Sequence, residues 1–212
     1  GSIITSAQMA LSYCNSCIIQ GNTVICYCAG VIYFGTSNII QGNTLICGAY
    51  NNIYRTTGCT IQGNTNIKGC YSGFDTCTSC TLTGNAIISE CIDGIDMSTS
   101  CTIKENAKIL NCIRGIYGGI ENIIEGNANI DYCTYGIIDT GTTENNGTII
   151  QGNATITNCT AGIYGGKGNL LRENASISSC TYGIQEGSYH KIIENASISS
   201  CTYGIYRSIN CL

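Results

Sequence analysis

The chain has 212 residues, a formal net charge of −4, 10% charged and 43% hydrophobic residues, 17 cysteines, and neither proline nor tryptophan. That balance excludes a basic nucleic-acid-binding patch, and no apolar run is long enough to span a membrane. The length and apolar share suit one domain, residues 1–212, with a long core and a surface of Thr, Ser, Asn, Gln and Tyr.

From its first residues the chain repeats itself. An asparagine recurs at Asn22, Asn43, Asn64, Asn85, Asn106, Asn127, Asn153, Asn174 and Asn195, with every step 21 residues except one of 26. With this Asn as position 0, isoleucine holds position 3 throughout, from Ile25 to Ile198. Position 10 runs from Ile32 to Ile205 with Phe74 as its variant, and position 18 from Ile19 to Ile192 with Leu82 and Leu171. The opening residues obey the same rule through Ile4 and Leu11, with Ala7 where later repeats carry Cys.

Each repeat contains three short β-prone segments separated by small and polar residues; around Asn174 they are 170–172, 175–179 and 182–186. Three short strands per turn predict an all-β, single-stranded parallel β-solenoid of about ten coils. Coils rising by about 4.8 Å make a rod on the order of 48 Å long. The three Ile columns fill its interior, and Ala107, Ala128, Ala154, Ala175 and Ala196 at position 1 leave room at a corner. An isolated coil cannot bury such a face, so stacking supplies the core.

The Asn column is expected to form a ladder. Bends leave backbone groups without strand partners, and stacked amides can bond to the turn and to the coils above and below. The pattern Gly-Asn-small-x-Ile, followed after five intervening residues by Gly-Ile, resembles the right-handed parallel β-helix repeats of pectate-lyase-like proteins and their non-catalytic relatives. The resemblance covers essentially the whole chain and implies a right-handed coil. It specifies a fold rather than an activity.

In chain order, the first notable features are cysteines. Position 16 carries Cys17, Cys59, Cys80, Cys101 and Cys211, and position 6 carries Cys28, Cys70, Cys91, Cys112, Cys133, Cys159, Cys180 and Cys201. Both columns read as small, buried corner residues. Stacked Cα atoms about 4.8 Å apart also lie within disulfide range. Cys26 and Cys47, at position 4 of adjacent coils, are the first-choice pair; Cys59, Cys80 and Cys101 are further candidates. The odd total leaves at least one thiol free or paired between chains. Cys14–Cys17 and Cys77–Cys80 are three coils apart and the chain has one histidine, so neither a metal site nor a cofactor is expected.

Next comes an acidic cluster of Asp75, Glu90, Asp93 and Asp96. Asp75 and Asp96 share position 11 and can share a proton or bind Ca²⁺. Asp93 has Arg114 at its own position one coil on, a cross-strand ion pair. Tyr33, Tyr54, Tyr117, Tyr164 and Tyr206 form a partial aromatic column at position 11. The longer coil inserts a loop at Asp139, Thr140, Gly141, Thr142, Thr143, Glu144, Asn145, Asn146 and Gly147, expected as a lateral contact between rods. Thr155, Thr157, Ser176, Ser178, Ser197 and Ser199 form an outward hydroxyl array that resembles the faces of ice-binding solenoids. His190 shares position 16 with Asn122 and Asn169 and reads as a stacked corner residue rather than a base.

No polar cap is legible at either end, and Leu212 stands at position 17, three residues short of a whole number of coils. These features predict a structural protein that stacks on itself end to end and laterally, as an extracellular or cell-surface filament, ring or sheath. Cys211 and Cys17 then face each other across the junction. No enzyme activity is expected, because no long loops wall a cleft. The alternatives are a carbohydrate-binding or carbohydrate-active β-helix using Asp75 and Asp96, and an ice-binding solenoid.

Overall fold

In the computed structural model the described residues are 3–5, 9–21, 23–42, 44–141 and 146–212. Asn22, Asn43 and loop residues Thr142, Thr143, Glu144 and Asn145, all named above, lie outside them. The described chain is all-β, with no helix. It forms three parallel sheets: ten strands from Ile3–Thr5 to Ser197–Ser199, ten from Met9–Ser12 to Tyr203–Ile209, and nine from Ile18–Gln20 to Lys191–Ile192. Each strand pairs with its equivalent one coil away, giving a β-solenoid of about nine turns.

Register follows the repeat. In the first sheet Ile25 pairs with Ile46 and Ile46 with Ile67. In the second Ile32 pairs with Ile53, and in the third Ile40 with Ile61. The longer coil does not break it: Ile124 pairs with Ile150 and Ile130 with Ile156. Ile46, Ile53 and Ile61 have no exposed surface. Each contributes about 1.5–3 kcal/mol by leaving water.

The corners use left-handed backbone. Gly84–Asn85, Glu105–Asn106 and Gly126–Asn127 hold φ between 54° and 65° at both residues. Each such turn is closed by the next alanine, as in Ala107 N–H to Lys104 O at 3.1 Å and Ala128 N–H to Glu125 O at 3.1 Å. Two positive φ values at the centre of an i→i+3 bond are the hallmark of a type I′ turn, which asparagine tolerates well. Other corners kink at Asn111, Tyr132 and Met97. Their N–H groups still reach the next coil, as in Asn111 to Asp131 O and Met97 to Tyr117 O, so the ladder offsets the strain.

From Asn85 onward this corrects the expected Asn ladder. Asn64, Asn85, Asn106, Asn127, Asn153, Asn174 and Asn195 are exposed. The last six hold φ of 62–65°. Among the described residues no hydrogen bond joins the side chains of those six. Their task is conformational: asparagine occupies the left-handed region at lower cost than other residues bearing a Cβ.

Candidate functional site

Asparagine amides at position 16, between the second and third sheets, bridge successive coils. Asn38 donates to Cys14 O and accepts from Cys17 N–H, each at 2.8 Å. Asn122 donates to Ser98 O at 3.1 Å and accepts from Cys101 N–H at 3.0 Å. Asn169 accepts from Thr148 N–H at 2.8 Å, and its amide faces His190 Nδ1 at 3.4 Å. His190 is fully buried, and burial lowers its pKa to about 4, so it is a neutral corner residue. The signal for this column was the exchange of Cys, Asn, Thr and His at one position, all residues able to accept a hydrogen bond.

Cysteine fills the same role with sulfur. Cys80 Sγ accepts from Cys59 N–H at 3.3 Å. Cys59, Cys80 and Cys101 are buried free thiols, as the corner reading expects, and the candidate bridge among them is not formed; their sulfurs are turned toward corner backbone groups, as in Cys101 to Thr99 O at 3.7 Å. Cys17 and Cys211, in the same column, are half-buried and free. Cys26 and Cys47 form a disulfide across adjacent coils, with Cα atoms 4.6 Å apart.

At position 6, Cys70, Cys91, Cys112, Cys133, Cys159, Cys180 and Cys201 occupy seven successive coils. The first six are buried. Cys70 and Cys91 Sγ are 2.6 Å apart. Above them each sulfur also points at the backbone carbonyl two residues back, as in Cys112 to Leu110 O at 3.4 Å and Cys159 to Thr157 O at 3.2 Å. Donation to their neighbours, with burial, raises Cys70, Cys112 and Cys159 far above the usual thiol range. Interaction with the neighbouring thiols lowers Cys91, Cys133 and Cys180 below the usual thiol range.

The second sheet places the acidic cluster on its outer face. Its pairing skips position 9: Ser72 pairs with Asp93 and Phe74 with Ile95. Position 9 is glycine from Gly73 onward and turns inward. A Cβ on Gly115 would lie 2.5 Å from Gly136 O and 2.6 Å from Ile130 Cγ2. Positions 8 and 11 therefore share the face of the sheet away from the core, where Ser72 and Asp93 are nonetheless covered. Asp75 and Asp96 are register partners, and Asn51 donates to Asp75 at 2.5 Å.

Arg114 clamps Asp93 through Nε and through Nη2 at 2.6 Å, and its guanidinium lies 4.0 Å from the Tyr117 ring centre. Asp93 is fully buried, and burial raises its pKa against the lowering pull of Arg114. Asp96 is raised to about 6 by burial, then by Asp93 and Asp75. The patch can hold a proton near neutrality. Glu90 stands apart, exposed at a left-handed corner. Among the described residues no group of three His, Cys, Asp or Glu side chains is placed to hold a metal ion.

Sequence reading missed a groove of about 730 Å³ beside the Gly-Asn corner. Gln20, Gln41 and Gln62 form one wall as an amide ladder, with Gln41 donating to Gln20 at 3.0 Å and Gln62 to Gln41 at 2.5 Å. Gly21, Gly42, Gly63 and Gly84 leave it open, and Glu105 bounds it. The recurring Gln-Gly pair was its signal.

The described part of the loop is tied down at its base. Asp139 is buried and accepts from Gly141 N–H at 2.6 Å; Glu121 N–H donates to Asn146 O at 3.1 Å. Thr140 is exposed and Gly147 buried. Aromatic rings pack along the rod: Tyr50 and Tyr71 stack with centroids 4.8 Å apart, and Tyr33 and Tyr54 meet at a tilt with centroids 4.9 Å apart. Thr155, Ser176 and Ser197 are in register, as are Thr157, Ser178 and Ser199. No protein-family model matches the sequence, and no curated protein matches it either.

Proposed function

We propose that the protein is a structural, self-assembling solenoid of the cell exterior, whose outer coils meet further copies by continuing the strand ladders. One observation carries this reading. Every described strand pairs with its equivalent one coil away, and the core columns keep one register throughout, as in Ile163 over Ile184 and Ile184 over Ile205. A parallel ladder that repeats in this way can be continued by a strand of another chain. A head-to-tail junction sets Leu11 of one copy over Ile205 of the next, and brings Cys17 and Cys211, which share a column, face to face. Such a contact is heterologous and propagates into filaments, rings or sheaths. The loop at 139–147 and the exposed Tyr27, Tyr50 and Tyr132 offer lateral contacts.

The Cys26–Cys47 disulfide supports an oxidising, extracellular setting. On this reading the chain is a non-catalytic, right-handed relative of the pectate-lyase-like β-helices and needs no cofactor. The glutamine-lined groove, together with the Asp75–Asp96 patch, favours a second reading as a carbohydrate-binding rod.

The test is electrophoresis with and without reductant, beside electron microscopy and a Cys211→Ser variant. Oligomers that collapse on reduction and are lost in the variant are expected. A monomer in both lanes, with no filaments in the microscope, overturns the assembly reading.

A further inference from the structure

The column at position 6 is more than apolar filling. Its seven thiols follow one another without interruption from Cys70 to Cys201, and Ala49 separates them from Cys28. At 2.6 Å, the Cys70 and Cys91 sulfurs are far closer than two thiols sit in ordinary contact. The spacing of adjacent coils accommodates a disulfide, as Cys26–Cys47 demonstrates. Cys112 holds the same position one coil beyond Cys91, on the side away from Cys70: the strands before them pair Ser89 with Leu110, and Ile113 N–H donates to Cys91 O. We propose that Cys70 and Cys91 form a second inter-coil disulfide, and that Cys112 above them can take it over by thiol–disulfide exchange.

The chemistry closes with a small-molecule disulfide as oxidant, acting while the coils are still open. The Cys91 thiolate attacks one sulfur of the reagent, forming a mixed disulfide and releasing one thiolate. The Cys70 thiolate then attacks Cys91 Sγ and releases the second. Two protein S–H groups are oxidised, one reagent disulfide is reduced to two thiols, and the two protons go to the released thiolates. Exchange needs no further oxidant. The Cys112 thiolate attacks Cys91 Sγ, the Cys91–Cys112 bond forms as the Cys70–Cys91 bond breaks, and Cys70 takes up the proton that Cys112 gave up. Exchange proceeds through attack on a disulfide sulfur, with the attacking and leaving sulfurs on opposite sides of it. Sulfurs stacked along one column meet that requirement.

The experiment refolds the full chain in oxidised glutathione, quenches it in acid, alkylates it with maleimide in denaturant, and maps the peptides after pepsin digestion. A Cys70–Cys91 linked peptide and loss of labelling at both residues are expected. In Cys70→Ala the link moves to Cys91–Cys112. Alanine is the residue this column already carries at Ala49, so the variant retains a side chain the corner accepts. Circular dichroism checks that it folds. Full labelling of all seven thiols in the unsubstituted chain overturns the proposal. A linked Cys70–Cys91 in that chain, with Cys91 labelled in a folded Cys70→Ala, overturns the exchange.

Discussion

Replacing Asn122 tests whether the position-16 column holds the coils together. Its side chain is 1% exposed, donates to Ser98 O and accepts from Cys101 N–H. Asn122→Ala leaves one backbone carbonyl and one backbone N–H without partners in a dry corner. Each such group costs about 1–3 kcal/mol, so the variant is expected to lose about 2–6 kcal/mol. Asn122→Cys is expected to lose less, because a sulfur in this column accepts the same N–H, as Cys80 does from Cys59. Urea denaturation followed by far-UV circular dichroism, under reducing conditions, measures both. Equal slopes show that the surface exposed on unfolding is unchanged, so the midpoints report stability. An alanine variant within about 0.5 kcal/mol of the parent, well below that cost, refutes the reasoning. So does a cysteine variant as unstable as alanine.

Three further outcomes follow from the same geometry. Gly115→Ala drives a Cβ into the backbone oxygen of Gly136, an atom that cannot swing away, and is expected to cost about 1–3 kcal/mol or more in a melting experiment. Cys26→Ser opens a 21-residue cross-link and is expected to cost about 3 kcal/mol, with the deficit abolished when parent and variant are compared in reductant.

The last outcome concerns pH. Asp96, at about 6 in the fold against 3.8 ordinarily, binds a proton more tightly folded than unfolded. Its stabilising contribution is present below pH 4 and lost as pH rises through 6. Asp96→Asn is therefore expected to gain about 1–2 kcal/mol at pH 7, after allowance for the carboxyl's contact with water, and to flatten that slope. His190, lowered to about 4 from 6.5, acts oppositely: stability falls as pH drops below 6.5, and His190→Asn removes that fall. Stability curves of the two variants separate the opposing slopes.

The period of 21 determined the fold by itself. When each coil rises by one strand spacing, equal positions must stack, whatever the outline of the coil. Ile46 over Ile25, Asp96 over Asp75 and Arg114 over Asp93 therefore followed from counting. So did the closeness of Cys26 and Cys47. Counting could not say which way a corner residue points, because that depends on left-handed kinks within a coil. The kinks send the position-0 asparagines from Asn85 onward outward and the position-16 asparagines inward, so tertiary structure alone decided which of these amides bridge the coils. It also decided that Gly115 faces the core. The skipped residue in the second sheet reverses the two-residue alternation of a regular strand, and the repeat holds no record of that reversal beyond glycine itself.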